Sequence, residues 1–128
     1  KNTEDRVQAY LKKKENKGML GLSYGIKHLD YITKGLKNET LTTCIANTGV
    51  GKTWLEIYIG AYCMLQNCKV LQFVTEMSEE IMRDRYEAVL FAKCYGSMNY
   101  NAFKSGALSL EDEKKYFEFL EEDLPHSL

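Results

Sequence analysis

The 128-residue sequence is short of the features that mark out a specialised class. Lysine plus arginine (17) nearly balances aspartate plus glutamate (18), a formal net charge of −1, so no global basic field announces nucleic acid. The four cysteines, Cys44, Cys63, Cys68 and Cys94, form no Cys-x-x-Cys pair, and no histidine stands at zinc spacing. That argues against a metal site or a disulfide framework and for reduced thiols in a cytosolic protein. Cys44 and Cys63 fall in apolar segments and are expected to be buried. No apolar run approaches the roughly 20 residues of a membrane helix, and no signal peptide, internal repeat or low-complexity stretch is visible. An initiator methionine is also missing, Lys1 standing first. The expectation is a fragment or a processed product.

What is present suits a globular domain with a core: 45% hydrophobic and 27% charged residues. Charge drifts along the chain. Residues 1–40 carry nine Lys/Arg against five acids, residues 41–95 five against six, and residues 96–128 three against seven. Such asymmetry hints at an interaction face.

The stretch around which the rest is organised is Ala46-Asn47-Thr48-Gly49-Val50-Gly51-Lys52-Thr53. It joins an apolar run, Leu41 to Ala46, to a long apolar segment that begins at Trp54. A strand, a glycine-bearing turn and a helix N-terminus in that order make a phosphate-binding loop. Gly49 and Gly51 let the backbone approach an anion, Lys52 offers a charge to the β and γ phosphates, and the Thr53 hydroxyl can ligate magnesium. One position departs from the usual pattern, because Ala46 stands where the first glycine belongs. The loop, with Trp54 beside it, implies binding of a nucleotide triphosphate.

Taken in order, Thr3 can cap a first helix, with Glu4 and Asp5 in its first turn, Lys12, Lys13, Lys14 and Lys17 towards its end, and Gly18 to stop it. Its apolar stripe of Val7, Tyr10 and Leu11 is thin, so the helix is expected to dock on the domain or on a neighbouring subunit. The lysines read as charges favourable at a helix C-terminus rather than as a nucleic-acid contact. Gly18, Gly21 and Gly25 make residues 18–26 a loop or linker. A short helix follows from Ile26 to Thr33, closed by Gly35, with Ile26, Leu29 and Ile32 on one side; its His28 reads as exposed or packing. Leu41 to Ala46 and Val70 to Val74 read as two buried parallel strands, the second interrupted by Gln72. Between them a helix from about Lys52 to Asn67 is apolar nearly all round and is expected to be covered on most faces. The result is a βαβ unit with a right-handed crossover. Ser78 caps a helix to about Cys94, whose inner face is Ile81, Met82, Tyr86, Val89 and Leu90. Residues 96–108 read as loop, with a turn of helix near Phe103. Ser109-Leu110-Glu111-Asp112 opens a last helix lined by Tyr116, Phe117, Leu120 and Leu124 and ended by Pro125.

Glu76 lies just beyond the second strand. Ligands of open parallel sheets bind past the carboxyl ends of the strands, so Glu76 should face the nucleotide, where a carboxylate can activate water. Spacing alone leaves open a second role, in which Glu76 merely precedes a helix cap and favours its dipole.

Four segments together resemble the ATPase domain of DnaB-type replicative helicases, of bacterial or phage type. Gly21-Leu22-Ser23-Tyr24-Gly25, then Leu29-Asp30 and Thr33-Lys34-Gly35-Leu36, is similar to the start of that domain. The loop Ala46 to Thr53 is similar to the family's version, which also begins with alanine. Glu76-Met77 with Arg85 resembles its Leu-Glu-Met segment and following helix. Lys104-Ser105-Gly106 with Leu108 and Glu111-Asp112 resembles its Arg-Thr-Gly…Leu…Glu-Asp segment. The resemblance spans about residues 19–120, in order.

It implies an α/β fold of the P-loop NTPase class, a RecA-like parallel sheet flanked by helices. It also implies a hexameric ring that unwinds duplex DNA by translocating on single-stranded DNA, with ATP and Mg2+ as cofactors. Primase or a helicase loader would be further partners, in the cytoplasm of a bacterial or phage-infected cell. Carried over, Ala46, Asn47, Thr48, Gly49, Val50, Gly51, Lys52, Thr53 and Trp54 bind the nucleotide, Lys52 and Glu76 are catalytic, Thr53 holds magnesium, and the role of Arg85 is open. Residues 1–18 take the place of the linker helix and residues 19–128 that of the N-terminal part of the ATPase domain. The family's later strand ending in a magnesium-supporting aspartate, its DNA loops and its arginine finger have no counterpart here. The expectation is a partial domain, weak or inactive alone. Another RecA-like ATPase, of recombinase or clock type, and a non-catalytic nucleotide-dependent assembly module are the competing readings.

Overall fold

The computed structural model describes residues 2–16 and 18–124, so Lys17 and Pro125, assigned above to helix ends, lie outside the described residues. The chain divides into two compact units, Lys1–Val50 and Gly51–Leu128. No helix among the described residues is long and apolar enough to cross a membrane.

The first unit holds helix α1, Thr3–Glu15, and helix α2, Lys27–Thr33. Thr3 begins α1 rather than capping it; Asn2 holds the cap position and makes no side-chain cap bond. The helix is exposed throughout, Val7 and Tyr10 included. Gly18, in the left-handed region at φ +79°, closes it by donating from its amide to the Lys13 carbonyl at 3.1 Å.

The stretch read as a linker, residues 18–26, is more ordered than its glycines suggested. Leu22 and Leu36 exchange backbone hydrogen bonds of 2.8 and 2.7 Å in an isolated antiparallel bridge. Gly21 is required there, because a Cβ on it would stand 1.8 Å from the Leu36 carbonyl oxygen. Asp30 ties the turn to α2, accepting from the Ser23 hydroxyl at 2.6 Å and from the Tyr24 amide at 2.8 Å. Tyr24 is thereby buried. His28 is exposed.

The second unit contains α3 (Lys52–Leu65), α4 (Glu79–Cys94), α5 (Tyr100–Lys104) and α6 (Leu110–Glu122). Three starts follow from capping chemistry. The side chains of Ser78, Asn99 and Ser109 accept from the amides of Ile81, Ala102 and Asp112, satisfying donors that a helix leaves without internal partners. The core is Ile57 and Ala61 of α3, Met82, Tyr86, Leu90 and Phe91 of α4, and Phe119 of α6. Phe91 meets Phe119 edge-on at 5.7 Å, and Tyr116 donates a 2.6 Å hydrogen bond to the buried carboxylate of Glu87. The inner faces differ in detail from the expected ones. Phe119 rather than Phe117 points inward on α6, while Ile81 of α4 is exposed and Val89 only half-buried.

Two larger expectations fail. Among the described residues there is no β-strand, and the βαβ unit is not formed. Residues 41–46 are irregular, with Leu41 93% and Ile45 92% exposed, and Cys44, expected to be buried, is exposed with them. Residues 70–74 are irregular too, with Leu71 and Phe73 outward and Gln72 and Val74 half-buried. The reason is one of pairing: a strand is held by neighbours that share its ladder bonds, and among the described residues neither run takes part in a bridge. Helix α3 shares the consequence. Ile57, Gly60, Ala61 and Cys63 are buried, but Trp54 and Leu65 remain exposed instead of being covered on most faces.

Candidate nucleotide site

The stretch read from sequence as a phosphate-binding loop is divided at the boundary between the two units. In the first, Ala46 is half-buried and Asn47, Thr48, Gly49 and Val50 are exposed. They form a turn in which the Val50 amide approaches the Asn47 carbonyl at 3.5 Å and Gly49 takes φ +82°. In the second, Gly51 occupies the N-cap of α3 at φ +100°, a conformation costly for any residue with a Cβ, and its carbonyl accepts from the Leu55 amide at 3.1 Å.

The start of α3 is electrostatically unlike that of α4 or α6. Those helices carry a serine cap and acids in the first turn, Glu79 and Glu80 in one and Glu111, Asp112 and Glu113 in the other. Helix α3 has no side-chain cap and no first-turn acid, and Lys52 is its first residue. Its unpaired amides and the positive end of its dipole therefore stand uncompensated beside a cation, a combination suited to an anion.

A cleft of about 190 Å³ opens at this point within the second unit. Lys52, Thr53 and Glu56 of α3 line one side, and Gln72, Phe73, Val74, Thr75, Glu76 and Met77 line the other. Lys52, Thr53 and Glu76, singled out from sequence, thus share one cavity. Glu76 is held there by its neighbours. Val74 and Met77 pack against the hydrophobic core, leaving Thr75 and Glu76 exposed between them. Gln72, the polar interruption in an apolar run, accepts a hydrogen bond from the Tyr86 hydroxyl of α4. Burial, then the nearby Cys63 and Glu56, pushes the Tyr86 phenol up, so it remains a protonated donor at neutral pH.

Sequence reasoning missed Glu56 and Gln72 as cleft residues. Glu56 had a signal, since it follows Lys52 by four residues and so shares its helix face. Gln72 had none beyond its polarity. Trp54, grouped from sequence with the nucleotide contacts, lines a separate apolar pocket of about 400 Å³ with Tyr58, Lys93, Met98 and Tyr100 among others. Arg85 lies over the Trp54 ring at 4.9 Å from its centroid. Lys104 ends α5, and Ser105 and Gly106 begin the connection to α6, where the Ser105 hydroxyl donates to the Asn101 carbonyl at 2.9 Å and Gly106 takes φ +66°.

Among the described residues no group of three or more His, Cys, Asp or Glu side chains is placed to hold a metal ion. The side-chain oxygens lining the cleft are the Thr53 and Thr75 hydroxyls, the Gln72 amide, which is engaged by Tyr86, and the Glu56 and Glu76 carboxylates. Such a sparse set fits magnesium, which keeps several waters and is carried largely by substrate phosphates.

No curated protein and no solved structure matches the chain. The DnaB-like helicase C-terminal domain matches residues 21–124, which takes in the bridged turn around Gly21, the phosphate loop, Glu76 and the α5–α6 connection, and the chain accordingly belongs to that family.

Proposed function

We propose that this chain supplies the triphosphate-binding part of an ATP-dependent replicative DNA helicase. The observation that carries the reading is the single cleft lined by Lys52, Thr53 and Glu76. In it Lys52 neutralises the β and γ phosphates, the amides at the start of α3 bind phosphate oxygens, and Thr53 supplies a hydroxyl to magnesium. The ion, when bound, supplies charge to the phosphates as they are displaced. Glu76 orients the attacking water and accepts its proton, a role that contributes about 10²- to 10⁴-fold in rate. At about 190 Å³ the cleft is smaller than a typical small-molecule site of roughly 300–1,000 Å³, which suits a phosphate tail rather than a whole nucleotide.

The wider reading assigns residues 1–18 to the linker helix and 19–128 to the ATPase domain. A ring of six subunits encircles single-stranded DNA in the cytoplasm. The exposed Val7, Tyr10 and Leu11 stripe of α1 fits a helix that docks on a neighbouring subunit. The exposed Leu71 and Phe73, alternating with half-buried Gln72 and Val74, support a sheet layer completed by further strands.

The test is the ATPase rate of the full-length protein with and without single-stranded DNA. A helicase should turn over several-fold faster with the strand present. Turnover indifferent to DNA would favour another RecA-like ATPase, and binding without turnover would favour a nucleotide-dependent assembly module.

A further inference from the structure

The side chain of Arg85 has an unusual setting. Its Nε is buried with no hydrogen-bond partner. A buried guanidinium N–H without an acceptor is costly, so something other than hydrogen bonding at that atom fixes its position. What the structure supplies is the ring of Trp54. The guanidinium carbon lies 4.9 Å from the ring centroid, within cation–π range, and Tyr100 meets the same indole edge-on at 5.1 Å and 84°.

The two partners are connected to the two halves of the cleft. Trp54 follows Thr53 directly in the first turn of α3, and Arg85 lies in α4, the helix that begins at Glu79 just beyond Glu76. We infer that Arg85 is a positioning residue: by stacking on Trp54 it clamps the phosphate-binding end of α3 to α4, the helix that the Glu76 segment leads into three residues later, and so sets the distance between carboxylate and phosphate. This rests on the proposed ATPase reading of the cleft. Lysine keeps the cation at position 85, whereas methionine keeps the unbranched apolar stem and loses the charged head.

Two measurements test the clamp. In ATP hydrolysis by the full-length protein, Arg85→Met should lower kcat by about 10- to 100-fold, the scale of a small misalignment, while KM for MgATP changes less than about threefold because Lys52 and Thr53 stay on α3. Arg85→Lys should recover most of kcat. Trp54→Leu should match Arg85→Met, and the double variant should be no slower than either, since both remove one interaction. The second measurement needs no turnover. Trp54 is the only tryptophan of the 128-residue chain, so its fluorescence quenching by acrylamide reads the stack directly, and Arg85→Met should raise its accessibility. A parent protein that hydrolyses no ATP overturns the functional reading and this inference together, whatever the quenching. An active parent with parental kcat in Arg85→Met, additive losses in the double variant, or unchanged quenching overturns the clamp alone.

Discussion

At Gly60 the absence of a side chain lets the Tyr86 ring lie directly against α3. A Cβ there would stand 2.2 Å from the Tyr86 hydroxyl oxygen and 3.1 Å from the ring carbon that bears it. Gly60→Ala gains up to about 1 kcal/mol in helix propensity but overpacks a site that costs roughly 1–3 kcal/mol. Overpacking wins, and denaturant unfolding should show a net loss of up to about 2 kcal/mol. Tyr86→Phe gives a sharper check. Alone it removes the hydrogen bond to Gln72 and should destabilise by about 1 kcal/mol, whereas in the Gly60→Ala background it removes the clash and should stabilise. A loss in both backgrounds would contradict this packing. The same hydroxyl holds the cleft wall, so one tyrosine serves both packing and site.

Between elements, α4 and α6 are tied at their ends as well as through the Phe91–Phe119 contact. The hydroxyl of Tyr95, at the α4 C-cap, donates to the carboxylate of Asp123, at the α6 C-cap, at 2.9 Å. That hydrogen bond, followed by desolvation and the negative charges of Asp123, Glu118 and Glu122, pushes the Tyr95 phenol up to about 12. The folded phenol then keeps its proton where the unfolded one, with its ordinary value near 10, has lost it. Unfolding above that point releases a proton, so the contribution is complete below about pH 10 and fades as pH rises to about 12. Phenolate absorbance of the parent minus that of Tyr95→Phe should titrate near 12; a midpoint near 10 would mean that the bond is not made.

The element scale is also where sequence reading succeeded and failed for identifiable reasons. The starts of α4 and α6 were legible because Ser78 and Ser109 act within three residues of themselves. The α3 start was legible because glycine, lysine and threonine stand together at Gly51, Lys52 and Thr53. The strands at 41–46 and 70–74 were not decided by their own composition. Valine, isoleucine and threonine favour a pleated surface, but a ladder needs a neighbour, and that is a non-local fact. Phe119 escaped for a similar reason: its burial depends on Phe91 across the helix pair.

Across the whole molecule, the large apolar side chains that are more than 80% exposed among the described residues fall, Leu110 apart, where the expected strands were placed. Leu41, Ile45, Leu71 and Phe73 are each more than 80% exposed, unusual for side chains of this kind. That pattern is what the sheet proposed above, completed by further strands, would cover. The second unit needs no such completion to place Lys52, Thr53 and Glu76 around one cleft. The most direct test compares MgATP binding and turnover in the full-length protein for the parent, Lys52→Ala and Glu76→Gln. Lys52→Ala should lose nucleotide binding. Glu76→Gln should bind MgATP as the parent does yet turn over at least about 100-fold more slowly, about 2.7 kcal/mol of transition-state stabilisation. Parental turnover in Glu76→Gln, or parental affinity in Lys52→Ala, would contradict the assignment of this cleft.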